Sequence, residues 1–265
     1  MLERTFAIGD IHGDLRALDS LLGKLPELRS SDTLVFVGDY IDRGPDSKGV
    51  IERVRSLEKT CPAKVVALRG NHEDAWVKVA DEGWPEFVMP RTNGCLEALR
   101  SFTGGPVPSS DDIPDDKELI ALLRASFFPA DVLDWMRALP YFYENNHAIF
   151  VHAGLVKKVG GARSAGGELS PPNKADGFLH PSEVEPKRAL LWVRDKAFFE
   201  EYDGKTVVFG HTTTEQLPAE LSSHTPADPK DLWAGPCAIG LDTGAGKGGF
   251  LSAIELPWGR VYESR

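Results

Sequence analysis

Six side chains in this sequence have the right chemistry to hold cations: Asp10, His12, Asp39, Asn71, His152 and His211. All offer oxygen or nitrogen, and none is a thiolate. A mixture of carboxylate, imidazole and amide suits divalent manganese, iron or zinc. Six donors exceed what one ion needs if it keeps a position open for a substrate. Two ions sharing one carboxylate is the economical arrangement. Asp10, His12 and Asp39 are assigned to one ion. Asp39, Asn71, His152 and His211 are assigned to the other, with Asp39 as the bridge. Metals about 3.5–4 Å apart can activate a water between them and clamp a phosphoryl group. Any one of these residues would be weak support, since Gly-Asp is usually a turn and a lone His is usually only hydrogen-bonded. Their recurrence at five separate strand ends carries the reading.

The elements that must position them are legible in the apolar pattern. Thr5 to Ile8 reads as a strand closed by Gly9-Asp10. Asp14 can cap a helix whose apolar positions are Leu15, Leu18, Leu21, Leu22 and Leu25. Thr33 to Val37 is a second strand, closed by Gly38-Asp39. Val50, Ile51, Val54 and Leu57 mark a second helix. Val65 to Leu68 is a third strand, closed by Gly70-Asn71-His72. Successive motifs lie about thirty residues apart, the size of one βαβ unit. Parallel strands bring their carboxyl ends to one edge, where the loops leaving them form a crevice. Asp10, Asp39 and Asn71 should therefore meet. Later strands are expected at Ala148 to Val151, ending at His152, at Thr206 to Phe209, ending at Gly210-His211, and at Ala238 to Leu241, ending at Asp242. Phe250 to Leu256 and Arg260 to Glu263 are expected to complete a second sheet as hairpin strands.

Between these elements, residues 74–140 read as a helical insertion interrupted by a polar loop at 103–116. Residues 156–186 read as a long loop or flap. No internal repeat and no second domain boundary stand out, so residues 1–265 are read as one α/β domain.

The motifs Gly9-Asp-Ile-His-Gly13, Gly38-Asp-Tyr-Ile-Asp-Arg-Gly44, Gly70-Asn-His-Glu73, His152-Ala-Gly154 and Gly210-His-Thr212 occur in that order. Together they resemble the motif set of the PPP-type metallophosphatases, a family that includes bacterial and phage serine/threonine protein phosphatases. The resemblance implies a central β-sandwich of two mixed sheets flanked by helices, and a dinuclear metal centre with manganese the favoured ion. It also implies that His72 is the acid that protonates the leaving oxygen, with Asp42 orienting its imidazole. A carboxylate partner fixes a histidine's tautomer and raises its pKa. Arg43 can present a planar fork to phosphate oxygens. Arg194, in Leu191-Trp-Val-Arg-Asp195, resembles a second phosphate-binding arginine of bacterial members. Glu73 and Asp74 are read as capping residues of the next helix.

Within that family the leading expectation is a phosphoserine/phosphothreonine protein phosphatase. The alternative is a dinucleoside polyphosphate hydrolase. Relatives of that second kind tend to lack the acid of the Asp42-Arg43 pair, to carry Asp where Glu73 stands and to carry Trp where Thr212 stands. A catalytically dead binding module is the weakest reading, because every expected position is filled.

Other features exclude rather than propose. The net charge of −10 and the absence of a Lys/Arg run argue against a nucleic-acid partner. No apolar stretch is long enough to span a bilayer, and the N-terminus lacks a leader pattern. Cys61, Cys95 and Cys237 are scattered and form no ligand or disulfide framework. A cytoplasmic location is therefore expected. Gly244-Ala-Gly-Lys-Gly-Gly249 matches a dinucleotide-loop pattern but precedes a strand rather than a helix, so it is read as a hairpin turn. The Asp111/Asp112/Asp115/Asp116 cluster lacks calcium-loop spacing and is read as a solvated loop.

Overall fold

Short β-rich runs alternate with amphipathic helices through the first third of the chain. In the computed structural model, which describes residues 3–158, 177–224, 228 and 230–265, they form β1 (Thr5–Ile8), α1 (Leu15–Lys24), β2 (Thr33–Phe36), α2 (Ser47–Thr60) and β3 (Lys64–Ala67). Asp14 caps α1 by accepting from the Ala17 amide at 2.9 Å, as its position predicts. The 71–138 segment is helical: α3 (Asn71–Glu82), α4 (Pro85–Val88), α5 (Cys95–Thr103), α6 (Asp116–Arg124) and α7 (Ala130–Ala138). Then come β4 (Phe142–Glu144), β5 (Ile149–Val151), α8 (Lys196–Glu201), β6 (Val207–Phe209), β7 (Trp233–Ala234), β8 (Ala238–Gly240), β9 (Ser252–Leu256) and β10 (Arg260–Glu263).

Two five-stranded mixed sheets result, ordered β10-β9-β1-β2-β3 and β4-β5-β6-β8-β7. In the first, β1, β2 and β3 run parallel. In the second, β5, β6 and β8 run parallel and the edge strands are antiparallel. Side chains alternate across a strand, and the packing follows that period. Ala7, Val35 and Val37 face Phe150, Val208 and Leu241 between the sheets. Phe6, Ile8, Leu34 and Phe36 turn the other way, onto the helices. Phe198, Phe199 and Trp233 cover the outer side of the second sheet with Ile149, Val151, Val207 and Phe209.

The final hairpin departs from expectation. It extends the first sheet, not the second, with β9 antiparallel to β1 (Thr5 opposite Leu256, Ile8 opposite Ala253). Every residue of β9 is buried. Ala253 packs with the helices, while Ile254 and Leu256 fill the space between sheets. A strand buried on both faces needs a position inside a sheet. Pairing with β1 supplies one and also covers an edge of unpaired backbone groups. The short edge strands β4 and β7 carry no signal in the sequence, because two or three residues show no period.

The loop at 103–116 ends at Asp115, which caps α6 by accepting from Lys117 and Glu118. Asp112 pairs with Arg100 at 2.5 Å. The expected 156–186 loop lies largely outside the described residues. Its described margins meet at a Lys157–Phe178 bridge. No helix among the described residues is long and apolar enough to cross a membrane.

Because Ile254 is 2% exposed between the sheets, Ile254→Ala should cost about 2–5 kcal/mol. Urea denaturation would show this as a lowered midpoint with the slope unchanged.

Candidate metal centre

The loops leaving β1, β2, β3, β5 and β6 converge where the parallel strands end. Asp10, His12, Asp39, Asn71, His152 and His211 are all buried there. Their backbone is unusual. His12, Asp39, Asp42, Arg43 and His211 have φ between 46° and 70°, the left-handed region that side chains rarely adopt. Ala125 is the only other non-glycine residue with positive φ among the described residues. Such strain costs of order 1–3 kcal/mol per residue and gathers at functional sites. The glycines before the donors serve close approach. A Cβ on Gly70 would overlap the Asp39 amide, and one on Gly210 would overlap the Asp10 carboxylate.

Second-layer hydrogen bonds aim the imidazoles. His12 Nδ1 donates to the Ile41 carbonyl at 3.0 Å, which leaves the Nε2 lone pair 3.4 Å from Asp39 Oδ2 and 3.9 Å from Asp10 Oδ2. His152 Nδ1 donates to the Val37 carbonyl at 2.9 Å. Its Nε2 lies 2.9 Å from Asn71 Oδ1 and 3.4 Å from Asp39 Oδ1. His211 Nδ1 is 2.8 Å from the same Asn71 oxygen.

The donor set fits divalent cations. One oxygen of Asp10, Oδ2, accepts the His211 amide at 2.9 Å, while the other, Oδ1, is buried without a hydrogen-bond partner. A buried carboxylate oxygen left in that state is costly unless a cation satisfies it. His152 Nε2 and Asn71 Oδ1, as oriented, aim lone pairs at one another, an arrangement that a shared ion also resolves. Burial, then the neighbouring Asp242 and Asp39 carboxylates, push Asp10 well above the usual carboxylate range. Burial alone would raise Asp39 as well, but the facing imidazoles of His152, His72 and His12 outweigh it and hold Asp39 well below that range. Burial also lowers His12, His152 and His211, which favours the deprotonated form that a metal ligand needs.

Two triads each place one donor atom per residue within 4.8 Å: Asp39-His152-His211 and His12-Asp39-His72. The first matches the sequence assignment. The second contains His72 in place of Asp10. His72 already has a partner, since its Nδ1 lies 2.6 Å from Asp42 Oδ2. Asp10 is the residue with an idle oxygen, so the geometry is better met with Asp10 as ligand. Asp42 is fully buried and accepts both His72 and the Trp76 indole N–H, the latter at 2.9 and 3.0 Å. Burial raises Asp42, and these two donors pull it back.

Arg43 and Arg194 stand at the two imidazole ends. A terminal nitrogen of Arg43 meets the His12 ring, and Arg194 Nε donates to His211 Nε2 at 3.0 Å. Among the described residues neither makes an ion pair, so both charges remain available to an anion.

Two roles differ from the sequence reading. Glu73 does cap α3, accepting the Gly70 amide at 2.9 Å, but it also accepts Asp39 N at 3.0 Å and Tyr40 N at 2.9 Å. It fastens the bridging loop to the next one. Asp74 does not cap. Its carboxylate turns to Arg69 and Arg188, at 3.3 and 2.6 Å. The 244–249 segment is a turn, as expected, but not an idle one. Lys247 Nζ donates to buried Asp242 at 2.9 Å, and Gly246 packs on the His12 carbonyl. The signal for Asp242 was present, since it too follows a strand. Lys247 and Trp76 gave no local signal.

A family model described as calcineurin-like phosphoesterase matches residues 4–226. A symmetrical bis(5'-nucleosyl)-tetraphosphatase of Dechloromonas aromatica (strain RCB) is 32% identical over 152 residues, covering 57% of this chain and 44% of that protein. One from Janthinobacterium sp. (strain Marseille) is 29% identical over 160 residues, covering 60% and 47%. The matched part thus spans less than half the length of these curated relatives. The crystal structure of a putative diadenosine tetraphosphatase aligns with TM-score 0.55 at 24% identity, covering 98% of this chain and 92% of that one. A Saccharomyces cerevisiae protein serine/threonine phosphatase aligns with TM-score 0.50 at 17% identity, covering 99% and 82%. These two likenesses concern the fold.

Glu73→Gln would turn an amide NH₂ toward at least one of the three backbone N–H groups. Leaving a buried donor unmatched costs about 1–3 kcal/mol. Thermal unfolding should show a lowered midpoint, and manganese affinity should fall with it as Asp39 loses its anchor. An unchanged affinity would refute the fastening role.

Proposed function

The chain belongs to the calcineurin-like phosphoesterase family, and on that premise we propose that it is a metal-dependent hydrolase of dinucleoside polyphosphates. The observation that carries the metal-dependent part is the convergence of six buried donors around Asp39, with an unsatisfied Asp10 oxygen among them. Asp10, His12 and Asp39 would hold one ion. Asp39, Asn71, His152 and His211 would hold the other. Manganese suits the oxygen and nitrogen donors, as do iron and zinc. Bound divalent ions supply charge neutralisation and an activated water.

The protein's own groups supply the rest. Arg43 and Arg194, without competing carboxylates, bind the non-bridging phosphate oxygens. His72 donates a proton to the departing oxygen. Asp42 holds His72 Nδ1 and so fixes the orientation of the imidazole for that donation.

The substrate class rests on the curated relatives, which are named as symmetrical tetraphosphatases. They reverse the order expected from Asp42, Glu73 and Thr212. The placement of Glu73 offers a physical reason. Its carboxylate is fully buried and consumed by three backbone amides, so it is a poor guide to substrate choice. The second reading, a phosphoserine/phosphothreonine phosphatase, keeps one specific support. A serine or threonine alkoxide is a far poorer leaving group than a nucleoside diphosphate and needs an acid more. The tight Asp42–His72 pair serves that need.

Asp39→Asn is expected to lose both metals and activity. His72→Asn is expected to keep the metals, by elemental analysis, while turnover falls roughly 10²–10⁴-fold. Metal loss in the His72 variant would make it a ligand. The substrate question is answered by kcat/KM with Mn²⁺ for diadenosine tetraphosphate against a phosphothreonine peptide. The dinucleotide should be preferred, and a large preference for the peptide would install the second reading.

A further inference from the structure

An aromatic wall beside the site has no part in the steps above. Trp192 follows the 3-10 turn Lys187–Leu191 and is 42% exposed. Its ring lies 6.1 Å from His211 and 6.1 Å from Trp84, roughly perpendicular to both. Trp84 stacks on Phe87 at 5.6 Å, and Phe87 meets His72 at 5.4 Å. The rings therefore form an arc from one site imidazole to another. A cleft of about 440 Å³ opens along it, lined by Trp84, Glu86, Phe87, Asn93, Arg188 and Trp192.

The free face belongs to Trp192. Phe87 stacks on Trp84, and Lys78 Nζ sits over the Trp84 ring at 4.3 Å. Both ring contacts of Trp192 among the described residues are perpendicular, so no described ring stacks on it. An exposed indole one ring away from a phosphoryl-binding centre has a natural occupant. A nucleotide carries a flat base at a short, fixed remove from its phosphates. Base–aromatic stacking tolerates any base, since each has a π-face. Asn93 uses its amide nitrogen on the Phe87 carbonyl at 2.7 Å, and its oxygen remains as an acceptor for a base amino group. The groove on the far side of Arg194, about 350 Å³, offers only Phe199 as a ring, and that ring is 8% exposed.

We propose that the Trp84–Phe87–Trp192 cleft is a nucleobase subsite, in which the Trp192 indole stacks on the base of a nucleoside phosphate whose phosphates reach the Asp39 centre. This rests on the nucleotide reading above and adds a residue that sets specificity.

The test is calorimetric, on metal-loaded protein, with adenosine 5'-(α,β-methylene)diphosphate against methylenediphosphonate. The two share the phosphonate head and differ by the nucleoside. The nucleotide should bind about tenfold tighter or better. Trp192→Ala should abolish that advantage while leaving methylenediphosphonate affinity and the melting temperature unchanged, and Trp192→Phe should restore most of it. Equal binding of the two ligands to the unaltered protein, or an advantage that survives Trp192→Ala, would overturn the subsite. Failure of the substrate reading looks different: no turnover of diadenosine tetraphosphate, with the Trp192-dependent advantage still present.

Discussion

The carbonyl of Asp39 accepts the amides of Ile11 and His12, at 3.0 and 2.9 Å. Its own amide is held by Glu73, and its carboxylate accepts the amide of His72 at 3.0 Å. One residue thereby joins the loops leaving β1, β2 and β3. Its carboxylate also lies 3.4 Å from His12 and 3.4 Å from His152, which comes from the other sheet. Burying such an anion is expensive unless cations or strong donors surround it. The His72 amide that donates to it is already committed by the fold, so it needs little reorganisation when a ligand arrives.

That convergence has a conformational cost. Five side-chain-bearing residues of the site sit in the left-handed region, and each such placement costs of order 1–3 kcal/mol. The sandwich around them offsets this. Phe6, Ile8, Phe36, Phe150 and Phe209 are fully buried on the strands that end at the site. Rigid strand ends also set how far apart the donors stand, which a flexible loop could not do. Gly38, Gly70 and Gly210 let neighbouring loops pass within contact distance of Asp39 and Asp10.

Charge is balanced in layers. Asp10 and Asp242 are both buried and repel one another. Lys247, reaching in from the turn before β9, partly neutralises Asp242. The final hairpin thus serves the centre twice, closing the first sheet along β1 and delivering a cation behind the carboxylates. Arg43 and Arg194 face the open side instead, where an incoming anion would meet them.

Much of this was readable in the chain. The short apolar runs and the helical periods placed β1 to β3, α1 and α2, and the polar residue after each strand placed the donors. Those signals are local: residue type and spacing suffice to say where a strand ends and what it presents there. Asp10, His12, Asp39, Asn71, His152 and His211 were identified on that basis, and the structure brings all six together. Long-range choices were not local. Which sheet receives β9 depends on the free edge of β1 and on a space between sheets that Ile254 and Leu256 help to fill. Glu73 looks like an ordinary helix cap until α3 is set beside the β2 loop, and Lys247 like an ordinary turn residue until that turn reaches Asp242. Trp84 and Trp192, 108 positions apart, face one cleft only because the helical segment and the Lys187–Leu191 turn pack on the same rim. Periodicity and side-chain chemistry are written in the chain, whereas partners distant in sequence are selected by burial, and burial exists only once the two sheets have closed.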